Sequence, residues 1–277
     1  MSLNNKKILG VNITIDRGEK ILEEVRKCLK VISDKRKVIS KKIIKPLIIF
    51  TPNPEIIVYG QKDPVFKQIV NTAQINIPDG AGVVWAIKRI HDKQIKRITG
   101  ADFVLKLVGL ASEKTYTIGV IGGRSSLALD ASKCLREIYP GVKIEALGEP
   151  EVEIRNTNIE IRNYEGEEIN TDHYFRDLVK EIVSREIDIL FVALGFPKQE
   201  YFISRLSLVI SRWPVGKPLV VMGVGGSLEY IGGRVPRAPE WLQRAGIEWL
   251  YRLFIEPWRI KRHIIGSQFF IRVLLMR

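Results

Sequence analysis

Six short apolar runs mark the chain up to Val224: Leu47 to Phe50, Ile75 to Ile77, Thr115 to Ile121, Val142 to Leu147, Ile187 to Leu194 and Leu219 to Val224. Stretches with helical periodicity lie between them, the spacing expected of βαβ units. The near-continuous apolar character inside each run predicts strands covered on both faces. The expected fold class is therefore α/β, a mostly parallel Rossmann-like sheet flanked by helices. Ile8 to Ile15 predicts one more short strand or hairpin. Residues 149 to 173, acidic and rich in Asn, interrupt the alternation and predict a loop or an extended hairpin insertion. From about Arg234 the pattern changes again, to basic residues interleaved with Trp241, Trp249, Tyr251, Phe254, Trp258, Phe269 and Phe270, and predicts a basic amphipathic helical appendage. Two parts are expected, a core over residues 1–235 and an appendage over 236–277.

Two of the strands end in groups that carry chemistry. Leu47 to Phe50 runs into Thr51-Pro52-Asn53-Pro54-Glu55, and Ile75 to Ile77 into Pro78-Asp79-Gly80-Ala81-Gly82. In a parallel sheet both exits open at the carboxyl edge, where α/β enzymes bind ligands. Each member also has a structural explanation. Asn53 caps a helix with Pro54 at its first position, and Asp79 caps the helix Ala81 to Ile90. Capping does not explain why the two exits together offer a hydroxyl, an amide and a carboxylate, the set needed to orient and deprotonate a sugar hydroxyl. Two glycine turns follow other strands: Gly119 to Ser125, with Gly122 and Gly123, opens the helix Leu127 to Tyr139, and Met222 to Ser227 contains Gly225 and Gly226. Such turns present amide N–H groups to a diphosphate, and two in one sheet favour a nucleotide over mere tight packing. Gln199, in Gly195-Phe196-Pro197-Lys198-Gln199-Glu200, faces the same edge, although singly such a residue is more often solvated.

Forty-four Lys and Arg against 31 Asp and Glu leave a net charge of +13 and point to an anionic partner. In residues 234 to 277, nine cations face three Glu, so nearly half the excess sits in the last sixth of the chain. Cations, aromatic rings and the apolar end Phe269 to Met276 together suit a bilayer interface with anionic lipid; the plainer reading is a helix packed on the core with a solvated basic face. The basic stretch 33 to 46 is expected to be a solvated surface. Arg252, Arg259 and Arg262 fall on one face of a continuous helix and would form a diphosphate clamp, whereas Pro257 inside the span is a helix breaker. Cys28 and Cys134, far apart, indicate neither a disulfide framework nor a metal site, and no His or Asp pair stands at ligand spacing. No metal or cofactor is expected. No apolar run approaches the roughly 18 to 20 residues of a spanning helix, and Met1 to Gly10 lacks a leader's apolar segment. The expectation is a cytoplasmic protein that is neither secreted nor integral and meets a membrane surface through its tail.

In their order, Thr51-Pro52-Asn53-Pro54-Glu55, Pro78-Asp79-Gly80-Ala81-Gly82, Arg97-Ile98-Thr99-Gly100-Ala101-Asp102, Gly195 to Glu200 and Gly223-Val224-Gly225-Gly226 resemble the WecG/TagA/CpsF family of bacterial glycosyltransferases. The resemblance implies inverting, metal-independent transfer of an N-acetylmannosamine-type sugar from a UDP donor to polyprenyl-diphosphate-linked GlcNAc at the cytoplasmic membrane face. It implies Asp79 as the general base, with Thr51 and Asn53 positioning the sugars and Arg97 and Gln199 near the active site. Arg252, Arg259 and Arg262 would match the arginines of a mobile appendage that closes over the UDP diphosphate. Ser227-Leu228-Glu229 stands where the family usually shows an aromatic followed by Asp, so the nucleoside contact would fall to Glu229. The 149–173 stretch is longer than the family pattern and has no assigned role. The apolar tail also points to self-association when no membrane is present. A nucleotide-cofactor oxidoreductase is the alternative, but it would need a fuller glycine fingerprint and a ribose-binding acid that the sequence does not offer. A basic nucleic-acid binder is the other, and it would show steeply salt-dependent binding; no nucleic acid is expected as a partner.

Overall fold

The computed structural model describes residues 3–30, 45–123, 126–162, 166–213, 217–244, 246–257 and 260–276, with the side chains of 244 and 261–263 outside that description. Most of the basic stretch 33–46 thus lies outside the described residues. The chain opens with an antiparallel hairpin, β1 (Asn5–Ile8) and β2 (Val11–Thr14), followed by α1 (Gly18–Lys30). Then come β3 (Leu47–Phe50), α2 (Pro54–Lys62), α3 (Pro64–Thr72), β4 (Ile75–Asn76), α4 (Ala81–His91), α5 (Gly100–Lys114), β5 (Thr117–Gly122), α6 (Leu127–Ile138) and β6 (Lys143–Ala146). A three-stranded antiparallel sheet, β7 (Glu151–Arg155), β8 (Asn158–Arg162) and β9 (Glu168–Ile169), leads into α7 (Thr171–Ser184), β10 (Ile187–Ala193), α8 (Lys198–Arg212), β11 (Val220–Gly223) and α9 (Ser227–Ile231). Three helices close the chain, α10 (Glu240–Arg244), α11 (Glu248–Ile255) and α12 (Ile260–Leu274).

All six expected strands form and lie in one parallel sheet in the order β4-β3-β11-β10-β5-β6. The apolar runs explain the burial. Alternate residues feed opposite layers, Ile48, Phe50, Leu190, Val192 and Val221 on one side and Leu47, Ile49, Ile189, Phe191 and Met222 on the other, so a continuous apolar strand is what two helical layers require. Thr115, expected to begin a strand, instead ends α5 in the left-handed conformation, and β5 starts at Thr117. The 149–173 insertion is a built element. Asn156 and Thr157, both at positive φ, turn β7 into β8, and Val152 and Ile161 are buried beneath α8 and its neighbours.

Registry fixes the site. Phe50 pairs with Asn76, Met222 with Ile49, Val192 with Gly223 and Ala193 with Gly122, so five strands end at one level. The two strand exits are tied directly: Ile77 N donates to Phe50 O at 2.8 Å and Asp79 N to Pro52 O at 3.2 Å. The C-terminal helices close over one side of this edge. In α12, Phe269 and Val273 are fully buried against the layer containing α2 and α4, and Phe270 lies 5.3 Å from Trp85. Gly82 makes room for that approach, because a methyl there would meet Pro54 Cγ at 2.9 Å and the Phe270 ring at 3.1 Å.

Candidate active site

Thr51, Asp79 and Ser227 converge on Gly100, the first residue of α5. A methyl group placed on Gly100 would lie 3.3 Å from Ser227 Oγ, 3.5 Å from Thr51 Cγ2 and 3.6 Å from Asp79 Oδ2. Thr51 comes from the end of β3, Asp79 from the end of β4 and Ser227 from the turn after β11, so three exits of the sheet meet at one point. Asp79 is not the helix cap that its sequence position allowed. Gly80, at φ +94°, holds that position, and no side chain caps α4. The reason is the tie between the exits: Asp79 is held beside Pro52, and its carboxyl takes a hydrogen bond from the Gly100 amide instead.

The environment of that carboxyl is unusual. Part of Asp79 remains open to solvent, yet protein crowds the carboxyl, and burial pushes it up from the ordinary carboxylate value of 3.8 to about 6. Arg97 and the Gly100 amide oppose the rise, and the charges of Glu248 and Asp102 add to it. A carboxylate titrating there is still ionised at neutral pH and is a stronger base than a solvated Asp. Arg97 is turned toward the appendage: its Nη2 donates to Glu248 Oε2 at 2.6 Å and its Nη1 to the Gln243 carbonyl at 3.3 Å.

Asn53 does cap α2, its side chain accepting from Ile56 N at 2.9 Å with Pro54 at the first helical position. Gln199 is buried rather than solvated. Its Oε1 accepts from Gly225 N at 2.9 Å and its Nε2 donates to Glu200 Oε1 at 3.0 Å, so it pins the turn after β11 to the start of α8. That turn's Gly225 amide, and the Gly122 amide, which donates to Gly148 O at 2.9 Å, have acceptors within the protein. Gly123 packs on Leu127, and Gly226 is the floor under an ion pair. There Arg252 Nη2 donates to Glu229 Oε2 at 2.6 Å and Nε to Glu256 Oε2 at 2.5 Å, with the guanidinium 4.6 Å from the centre of the Tyr230 ring. The expected stripe of three arginines on one continuous helix does not form. Arg252 belongs to α11 and position 262 to α12, separate helices with Pro257 between them, as a residue lacking an amide donor dictates. Arg259 and the Arg262 side chain lie outside the described residues.

Three members of this edge escaped sequence reading. Ser227 registered only as the end of a glycine turn and a departure from a family pattern, Arg237 only as one of nine tail cations, and Glu248 only as one of the tail's three Glu. Glu248 is the sole acid between Arg244 and Arg252, and an isolated carboxylate in a basic segment was the available signal. Among the described residues no three His, Cys, Asp or Glu side chains converge as a metal site. Two open clefts, of about 840 Å³ between α3, α8 and β8 and about 980 Å³ around Arg17 and Lys93, are lined by none of the candidate residues, and the converging chemistry outweighs their size.

Comparison with known proteins identifies the family. The model of the Glycosyl transferase WecG/TagA/CpsF family matches residues 7–277. A protein of Bacillus subtilis (strain 168) is 30% identical over 227 residues, 82% of this chain and 78% of its own. One of Staphylococcus aureus (strain NCTC 8325 / PS 47) is 30% identical over 216 residues, 78% of this chain and 75% of its own. Both are named N-acetylglucosaminyldiphosphoundecaprenol N-acetyl-beta-D-mannosaminyltransferase. With a parallel sheet whose exits gather a hydroxyl, a carboxylate and cations, and with a match over nearly its whole length, the chain belongs to the WecG/TagA/CpsF family of glycosyl transferases.

Proposed function

We propose that this enzyme transfers an N-acetylmannosamine-type sugar from a UDP donor to polyprenyl-diphosphate-linked GlcNAc, with inversion and without a metal ion, in the synthesis of a cell-surface polymer. The names of the relatives supply the acceptor and the sugar. The observation that carries the chemistry is the Asp79 carboxyl, raised to about 6 beside Thr51, Ser227 and Arg97. Asp79 takes the proton of the acceptor hydroxyl as its oxygen forms a bond to the anomeric carbon. The bond to the UDP oxygen breaks on the opposite face, and the leaving diphosphate carries away the bonding pair. Thr51 and Asn53 orient the sugars, and Gln199 acts by holding the Gly225 turn in place.

Arg252 is the clamp residue whose position supports the leaving-group role, because it overhangs Gly226 and the Glu229 carboxylate. An arriving diphosphate competes with Glu229 and Glu256 for the same guanidinium, and Arg259 and Arg262 complete the charge. Gly122 and Gly123 with Gly225 and Gly226 admit the nucleotide by close approach, since two of their amides are engaged. Core and appendage divide near residue 236. The appendage seats the enzyme on the inner face of the plasma membrane, a reading supported by exposed Trp241, Trp249, Phe254, Ile264 and Ile271 among basic residues. No helix among the described residues is long and apolar enough to cross a membrane. Neither an oxidoreductase nor a nucleic-acid binder accords with the family.

The test is transfer from UDP-N-acetylmannosamine to a short-chain lipid-diphosphate GlcNAc analogue, with product stereochemistry read by NMR. Asp79→Ala is expected to lose at least about a hundredfold in rate, and EDTA to leave the wild-type rate unchanged. Wild-type turnover by Asp79→Ala would remove the base, and loss of activity in EDTA would remove the metal-independent mechanism.

A further inference from the structure

Four charged side chains alternate beside Asp79 and join the core to the appendage. Asp102 Oδ1 accepts from Arg237 Nη2 at 2.7 Å, Arg237 Nε lies 3.9 Å from Glu248 Oε1, and Glu248 Oε2 accepts from Arg97 Nη2 at 2.6 Å. Arg97 and Asp102 flank the start of α5, whereas Arg237 precedes α10 and Glu248 opens α11. The Glu248 side chain is only 13% exposed. Two cations and two carboxylates make this row neutral without Asp79. When Asp79 ionises it is therefore a fifth, uncompensated charge in a crowded site. The Nε atoms of both arginines are buried without a hydrogen-bond acceptor, so the row has no spare carboxylate of its own.

We propose that Glu248 is a positioning residue for the transfer: by engaging Arg97 and Arg237 it draws the Arg97 charge away from Asp79, so that the carboxylate is a stronger base while the appendage is docked. The proposal rests on Asp79 being the base. Its physical content is a comparison of two states. With Glu248 seated, Arg97 is shared and Asp79 holds protons tightly. With Glu248 withdrawn, the full Arg97 charge bears on Asp79, stabilises its ionised form and makes it a weaker base. The charged groups facing Asp79 are Arg97 and Asp102 from the core and Glu248 from the appendage, with Arg237 behind them. Arg237 balances Glu248 and Asp102, so its removal acts in the opposite direction. A base that strengthens only on closure would also spare the bound donor from attack by water while the site is open.

The test is the pH dependence of kcat/KM for the full chain, with UDP-N-acetylmannosamine and the lipid-diphosphate analogue, in wild type, Glu248→Gln, Glu248→Asp and Arg237→Gln. Wild type is expected to lose activity as pH falls through about 6, following Asp79. Glu248→Gln should move that limb down by about half a pH unit or more and lower the plateau several-fold. Glu248→Asp, which keeps the charge, should leave the limb in place even where it lowers the rate, and Arg237→Gln should move it up. If the Gln variant fails to fold, the upward displacement in Arg237→Gln decides the matter. Rate losses with an unmoved limb in every variant would mean that Glu248 only fastens the appendage, and overturn the proposal. Asp79→Ala at the wild-type rate would instead overturn the reading of the base, a result distinguishable from the first.

Discussion

Asp79 is the residue at which folding and the proposed catalysis pull apart. Its folded value of about 6 lies above the unfolded 3.8, so the folded protein binds the proton more tightly than the unfolded chain does. The resulting penalty on stability is fully present above about pH 6 and vanishes as pH falls through 6 toward 3.8. The shift bounds it at roughly 2–3 kcal/mol. Asp79→Asn keeps the size of the side chain and an acceptor for the Gly100 amide while removing the charge. It is expected to melt a few degrees higher than wild type at pH 7.5, with the difference closing near pH 4, while transfer falls by about 10²–10⁴. Equal melting temperatures at both pH values would show that the buried charge is relieved by neighbours after all. The residue types at this candidate site were legible in the sequence because two strand exits of one parallel sheet together offer a hydroxyl, an amide and a carboxylate. The raised proton affinity was not legible, since it comes first from burial, with the charges of Glu248 and Asp102 adding to it, and only folding supplies either.

Among the elements, α2 carries a cap, Asn53, to which the proposed function also gives a substrate contact. Asn53 accepts from Ile56 N, and capping alone accounts for its presence. Asp ranks with Asn as a cap, whereas Ala loses about 1 kcal/mol. Asn53→Asp is thus expected to melt like wild type but to bind the sugar substrates at least several-fold more weakly, because it replaces an amide donor with a second carboxylate close to Asp79. Asn53→Ala should lose both. Wild-type KM values in the Asp variant, with stability alone reduced in Ala, would leave Asn53 a cap and nothing more. Equilibrium unfolding beside steady-state kinetics separates these outcomes. The strands were legible as elements because period and apolar content act locally. In the tail, the sequence offered both one arginine face on a continuous helix and a break at Pro257, and the break is what forms, with α11 giving way to α12 there.

For the whole molecule, the appendage has two apolar sides. Phe269 and Val273 of α12 are fully buried on the core, while Ile264 is 59% and Ile271 61% exposed, as is 78% of Phe254 on α11. A surface of this kind, interspersed with cations, is what an anionic bilayer would cover. Phe254→Ser with Ile264→Ser and Ile271→Ser is expected to bind vesicles containing phosphatidylglycerol more than tenfold less tightly, each lost side chain removing up to about 1.5–3 kcal/mol of burial. Its melting temperature should barely change, because these side chains are already in water in the free protein. Unaltered vesicle binding that high salt abolishes would assign the contact to the cations alone. A change in sedimentation with no change in vesicle binding would make the same face an interface between two copies of the chain.

Taken alone, the sequence determined the six buried strands, the parallel α/β class, the two exits with Thr51, Asn53 and Asp79, and a basic aromatic tail, because each depends on short-range period, turn chemistry or composition. Tertiary structure decided what those parts do to one another. It placed Ser227 beside Thr51 and Asp79 around Gly100, released Asp79 from the helix cap, buried Gln199 under the Gly225 turn and brought Glu248 to Arg97 from 151 positions away. The physical reason is that periodicity and capping act within a few residues of chain, whereas burial and Coulomb interaction act through space.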